Sequence, residues 1–170
     1  MRIVMDLDGV IRDLNEYLQT KHGIPYPTEW NWKHKGKDVY HWIEEDMDVL
    51  LNAPPTVYYP TILKMWSRKD REVWTSQPKA WRPNTTQWIK QYLGTNCKIR
   101  FFNSSEEKEK GLTEDKNVIL IEDCPKFKNY DRIILIDTSY NKNTEAEVRV
   151  CNPKQLELVF KEAKKYMLEE

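Results

Sequence analysis

The sequence predicts an α/β fold, a doubly wound parallel sheet with a small helical cap inserted after the first strand. Two observations predict the sheet. Short β-branched apolar runs recur along the chain, each ending abruptly in polar residues. Runs this short, with little alternation, suit strands buried on both faces. Helical patterns separate them, as parallel neighbours require. A third observation predicts the cap: the first and second runs are roughly sixty residues apart, against the usual two to six for a strand–helix loop.

The elements follow in order. Arg2-Ile3-Val4-Met5 is the first strand and ends in Asp6-Leu7-Asp8-Gly9. The insert is expected over 16–68, with the core domain formed by 1–15 and 69–170. Within the insert, Val39, Trp42, Ile43, Met47 and Leu50 share one face of an expected helix. The insert also holds Trp30, Trp32, Trp66 and all three histidines (His22, His34, His41), which lack the spacing of metal ligands. Glu72-Val73-Trp74 forms the next strand and ends in Thr75-Ser76. Pro83 to Leu93 reads as a helix with Trp88, Ile89, Tyr92 and Leu93 on one side, stopped by Gly94.

Lys98 to Phe102 ends in Asn103-Ser104-Ser105, Val118 to Ile121 in Glu122-Asp123, and Arg132 to Ile136 in Asp137. Asn152-Pro153 opens the last helix with a cap residue followed by proline at the first helical position. Its apolar stripe is Leu156, Val159, Phe160, Ala163 and Met167. Gly9, Gly23, Gly36 and Gly111 are expected in or beside loops or helix starts.

Composition narrows the function classes. The chain has 170 residues, about one domain's worth. Lys plus Arg total 27 and Asp plus Glu total 27, so the formal net charge is zero. A binder of extended nucleic acid needs a surplus of cations, so none is expected as partner. No run of about 18 apolar residues is present, which argues against a membrane span. The opening Met-Arg-Ile-Val-Met-Asp lacks an uninterrupted apolar stretch, so no signal peptide is expected. Cys97, Cys124 and Cys151 are an odd number without metal spacing and read as reduced thiols of a cytoplasmic protein. A homodimer is compatible with the sequence but not required by it.

The strand ends carry the chemistry. In an open parallel sheet, ligands bind outside the carboxyl ends of the strands, where strand order reverses. Asp6, Asp8, Glu122 and Asp123 would repel one another there unless a cation sat between them. Oxygen ligands with room for water suit Mg²⁺ better than zinc. Thr75 and Ser76 offer donors, and Lys108 or Lys110 a cation, which with a divalent ion make a phosphate clamp. A carboxylate such as Asp6 can attack phosphorus and form an aspartyl-phosphate. A second carboxyl, Asp8, can protonate the leaving oxygen and later deprotonate water. Arg12, just past this motif, can reach substrate or cap a helix surface. Trp30 and Trp32, in a polar loop, can stack on a nucleobase or form the cap's own core. For Trp42 the core reading is preferred.

Asp6-Leu7-Asp8-Gly9-Val10 after an apolar strand resembles the first motif of the haloacid dehalogenase-like hydrolase superfamily, whose core is Rossmann-like. Thr75 resembles the second motif, Lys108 the third, and Glu122-Asp123 the acidic fourth. Within the superfamily the sequence is most similar to the 5′(3′)-deoxyribonucleotidases. The similar segments are Trp74-Thr75-Ser76-Gln77-Pro78, Leu120-Ile121-Glu122-Asp123-Cys124-Pro125 and Ile136-Asp137-Thr138-Ser139-Tyr140-Asn141. The resemblance implies Mg²⁺ held by the Asp6 carboxylate, the Asp8 main-chain carbonyl and the Asp123 carboxylate. It implies Asp6 as nucleophile, Asp8 as acid/base, and Thr75, Ser76 and Lys108 on the phosphate. Two departures stand out. Glu122 replaces an aspartate and is placed to alter the outer metal shell. The third-motif lysine is Lys108 or Lys110, with Lys108 favoured.

The implied activity is Mg²⁺-dependent hydrolysis of a small phosphomonoester, foremost a deoxynucleoside monophosphate. The alternatives are a nucleotide-binding regulatory protein of the same fold, or a phosphatase for sugar phosphates or nucleic-acid ends. A signalling receiver domain also uses an acidic cluster with Thr/Ser and Lys, but its acidic pair lies on the first strand and its acceptor later, and it has no counterpart to the insert.

Overall fold

The computed structural model describes residues 1–127 and 131–169, with side chains through residue 165. The side chain of Met167, expected in the last apolar stripe, and residue 170 lie outside the described residues. The chain begins with strand β1 (Arg2–Met5) and helix α1 (Leu14–His22), which is capped by the Asp13 carboxylate accepting from the Glu16 amide at 3.0 Å. A two-strand hairpin follows, β2 (Lys33–His34) and β3 (Lys37–Asp38), and then the short helices α2 (Val39–Glu45), α3 (Val49–Asn52) and α4 (Tyr59–Met65). The rest alternates: β4 (Glu72–Ser76), α5 (Arg82–Leu93), β5 (Lys98–Phe102), α6 (Ser105–Glu114), β6 (Val118–Glu122), β7 (Ile133–Ile136), β8 (Val148–Val150) and α7 (Pro153–Glu169).

The six long-range strands form one sheet in the order β5-β4-β1-β6-β7-β8, and every pair is parallel. The chain therefore winds outward from β1 in one direction, returns, and winds outward in the other. The order reverses between β1 and β6, which sets the crevice there. Alternate side chains go to opposite faces. Met5, Ile121 and Ile134 join Trp88, Ile89 and Phe160 in the larger core, against α4, α5 and α7. Val4, Leu120 and Ile133 join Trp74, Phe102 and Leu112 in the smaller core, against α6. Arg71, 5% exposed, donates to the Trp66 carbonyl (3.3 Å) and the Leu93 carbonyl (2.6 Å), so the carboxyl ends of α4 and α5 meet on one guanidinium.

The insert differs from expectation in four ways. The helix expected through residues 39–50 breaks into α2 and α3 at Asp46 (φ −139°), whose carboxylate lies 2.7 Å from His22 Nε2 and 2.9 Å from Lys21 Nζ. An aspartate that finds such partners outside the helix favours the break. Its apolar face survives the break: Val39, Trp42, Ile43, Met47 and Leu50 still pack together with Leu14, Leu18 and Ile24. Second, α4 does not belong to this cluster, because Tyr58, Ile62 and Trp66 pack into the larger core. α4, within the stretch expected as insert, is thus part of the layer that covers the sheet. Third, the β2–β3 hairpin was not anticipated. Its turn residues Lys35 (φ 51°) and Gly36 (φ 77°) both lie in the left-handed region, as a tight two-residue hairpin demands.

The fourth difference is that Leu14 and Trp81, expected in the core domain, pack in the insert's cluster. In the sheet, the three-residue β8 escaped the apolar-run criterion, and pairing with β7 reveals it. Gly111 lies inside α6 rather than in a loop, where a Cβ would meet the Phe102 ring at 3.0 Å. Among the described residues no helix is long and apolar enough to cross a membrane.

Candidate active site

Three strand ends and one helix build the site. The Asp6 amide continues the sheet by donating to the Ile121 carbonyl (2.8 Å), which sets the tip of β1 beside that of β6. Ser104 caps α6, its hydroxyl accepting from the Glu107 amide at 3.2 Å, and this places Lys108 on the next turn facing the sheet. Lys108 Nζ donates to Asp6 Oδ1 and to Glu122 Oε2, both at 2.5 Å, and is 2% exposed. Two residues further, about 200° around the helix, Lys110 points to solvent and lies 3.7 Å from Glu114. The structure thus brings Lys108 into the site and leaves Lys110 outside it.

Asp6, Glu122 and Asp123 are each buried, and one oxygen from each lies within 4.8 Å of the others. If all three ionise against one ammonium, two negative charges remain uncompensated. Burial, then the charge of Glu122, pushes the Asp6 carboxyl up to about 8, although Lys108 pulls the other way. Burial and the charges of Glu122 and Asp6 likewise hold Asp123 well above the usual range. For Lys108, burial pulls down, but Asp6 and Glu122 outweigh it and the ammonium is held above its ordinary value. Without a further cation this cluster takes up protons; with one, it can release them.

Both oxygens of Glu122 are engaged. Its Oε1 accepts from the amides of Asp123 (3.1 Å) and Cys124 (3.2 Å), while Oε2 holds Lys108. It therefore shapes the β6 tip and anchors the lysine. Asp123 accepts a hydrogen bond from the Tyr140 hydroxyl. Tyr140 is set by Asn141, whose side-chain amide donates to the carbonyls of Asp123 and Ile136, both at 2.8 Å. Gly9 (φ +87°) passes so close that a Cβ there would strike both the Asp123 carboxylate and the Tyr140 hydroxyl. Gly9→Ala is expected to cost at least about 2 kcal/mol, read as a lower urea midpoint at unchanged slope.

Asp8 sits at the cavity edge, held from beneath. Arg12 Nε donates to Asp8 Oδ1 (2.6 Å) and Nη2 to Oδ2 (3.1 Å), and Gln77 Nε2 adds a third bond to Oδ2 (2.7 Å). Arg12 is fully buried beneath Asp8 and is not among the residues that line the cavity. Thr75 is buried at the end of β4, and the Ser76 hydroxyl donates to the Ser104 carbonyl at 3.0 Å.

These groups open into a cavity of about 510 Å³, within the range of small-molecule sites. Asp6, Asp8, Thr75, Lys108 and Asp123 line it from the sheet side. Trp30, Trp32 and Tyr40 line it from the insert. Trp30, 37% exposed, packs on Tyr140 with ring centroids 5.6 Å apart. Trp32 lines the cavity and also packs on the insert's cluster. Trp42 packs on the same cluster. His22 and His41 pair with Asp46 and Asp38, and His34 lies against the Trp42 ring. Sequence reasoning passed over Gln77 and Tyr140 as site residues. Each stood one to four residues beyond the end of a strand and inside a segment that carries the family resemblance. No family model matches the chain, and no curated protein matches it in sequence.

Proposed function

We propose that this chain is a Mg²⁺-dependent phosphatase that hydrolyses small phosphomonoesters through an aspartyl-phosphate, with deoxynucleoside monophosphates as its foremost substrates. The observation that carries the reading is the buried cluster of three carboxylates, Asp6, Glu122 and Asp123, around the single ammonium of Lys108, open to a cavity at the switch point of the sheet. An all-oxygen donor set with surplus negative charge fits a hard divalent cation. Asp6 and Asp123 would hold it through their carboxylates, joined, as the resemblance implies, by the Asp8 main-chain carbonyl. When bound, Mg²⁺ supplies the positive charge that lets an anionic nucleophile meet an anionic phosphoryl group.

The side chains then divide the work. Asp6 attacks phosphorus, the bond to the leaving oxygen breaks, and Asp8 passes that oxygen a proton. Water then attacks the aspartyl-phosphate, Asp8 takes its proton, and the P–O bond to Asp6 breaks to free phosphate. Lys108 and the Thr75 hydroxyl balance and orient the equatorial oxygens. Trp30, Trp32 and Tyr40 offer flat apolar faces to the leaving group, which supports a nucleoside over a bare sugar. The insert roofs the cavity and lowers access of bulk water.

The test is phosphate release from a panel of deoxynucleotides, ribonucleotides, sugar phosphates and end-phosphorylated oligonucleotides, with Mg²⁺ and with chelator. Release from small monophosphates that stops with chelator is expected. Tight nucleotide binding with no release from any ester would replace this reading with that of a nucleotide-binding regulatory protein.

A further inference from the structure

We infer that Arg12 is a positioning residue that fixes the Asp8 carboxylate and ties it to the seat of the insert. The inference rests on the phosphatase reading. All of its guanidinium nitrogens are engaged. Besides the fork on Asp8, Nη1 donates to the Leu50 carbonyl of α3 (2.6 Å), and Nη2 lies 3.3 Å from the Thr85 hydroxyl of α5. The guanidinium also sits over the Trp88 ring, 5.5 Å from its centroid. One side chain thus joins the loop after β1, the insert and the larger core.

A wholly buried guanidinium is a poor device for stability, since an apolar residue of similar volume often serves as well or better. What an apolar residue cannot do is hold a planar carboxylate by two parallel bonds. The Asp8 side chain is 25% exposed, while its partner lies entirely beneath it. The fork and Gln77 together take three of the lone-pair positions on Asp8 and leave one on Oδ1. Gln77 reaches Asp8 even though its own carbonyl oxygen is buried without a partner, an arrangement that costs stability. Both neighbours therefore serve the orientation of one carboxylate. Because Arg12 also bonds the Leu50 carbonyl of α3, the Asp8 carboxylate and the insert share one anchor.

The test is steady-state hydrolysis of p-nitrophenyl phosphate and β-glycerol phosphate with Mg²⁺ by wild type, Arg12→Lys, Arg12→Met, Asp8→Asn and Arg12→Met/Asp8→Asn. Arg12→Lys keeps the charge but not the fork, and it is expected to lower kcat about 10- to 100-fold while KM changes less than about twofold. In the Asp8→Asn background, removal of Arg12 is expected to cost less than about twofold, because its target is gone. If Arg12→Met does not fold by circular dichroism, or Asp8→Asn is silent, the kcat-against-KM split of Arg12→Lys decides. Equal penalties in both backgrounds, an unchanged kcat, or a loss confined to KM would overturn the inference while leaving the phosphatase reading intact. A wild type that hydrolyses neither these esters nor any member of the monophosphate panel would overturn both.

Discussion

Asp6→Asn is expected to lower phosphate release by about 10⁴-fold or more without unfolding the protein. An amide at this position cannot attack phosphorus, and among the described residues no other carboxylate of the site is poised to replace it. Asp8 is held by Arg12 and Gln77, Glu122 by Lys108 and two amides, and Asp123 by Tyr140. Stability is expected to move the other way. Asp6 is buried in a cluster with surplus negative charge, so removing one charge relieves repulsion. Lys108 keeps Glu122 as its partner. In metal-free buffer at pH 8 the variant should therefore melt no lower than wild type, and a higher midpoint is expected. Retained turnover would reject Asp6 as nucleophile. A collapsed far-ultraviolet circular dichroism spectrum would show that the cluster holds the fold together.

The second large effect is an unusual dependence of stability on pH and magnesium. Asp6 is pushed up to about 8 in the folded chain from an ordinary value of 3.8, and Asp123 shifts the same way. Between those values the folded chain keeps protons that the unfolded chain has released. Stability from this source is fully present below the ordinary carboxylate range and is lost as pH rises through about 8. Carboxylates shifted down by partners, such as Asp46 and Asp137, act oppositely but only under acid conditions. From pH 5 to pH 8 the metal-free melting temperature should fall, by an amount on the order of a few kcal/mol in unfolding free energy. Millimolar Mg²⁺ should recover most of the loss at pH 8 and little at pH 5, where it competes with protons. Differential scanning calorimetry reads both. A midpoint indifferent to pH and to Mg²⁺ across this window would count against a cation site.

How much of this was legible in the sequence follows from the range of the interactions involved. The four inner strands β4, β1, β6 and β7 announced themselves as apolar runs, because a strand buried on both faces shows little polar side. The edge strand β5 exposes Lys98 and Arg100 and was marked by Ile99, Phe101 and Phe102. β8 is only three residues long, with Arg149 at its centre bonded to Asp137 at 2.7 Å, so nothing local marked it. The break at Asp46 and the packing of α4 into the larger core were equally hidden. One depends on His22 and Lys21, the other on docking against α7. In the site, Asp6, Asp8, Thr75, Glu122 and Asp123 were visible because strand ends in a parallel sheet share one edge. Lys108 could be separated from Lys110 only once α6 was in register. Gln77 and Tyr140 needed tertiary structure, since each is defined by a distant partner, Asp8 and Asp123. The partner of Arg12 is only four residues away, but the loop that turns it onto Asp8 had no local pattern to mark it.

The central place of β1 carries a consequence for biogenesis. It pairs on one side with β4 and on the other with β6. A ribosome delivers Ile3, Val4 and Met5 first, yet residue 122 must emerge before both edges of that strand are occupied. Throughout that interval the nascent polypeptide presents a sticky, half-paired ribbon, the kind of surface that holdase chaperones shield. Asp6 and Asp123 meet only at the close of the same interval, so a truncated translation product would be both aggregation-prone and inert.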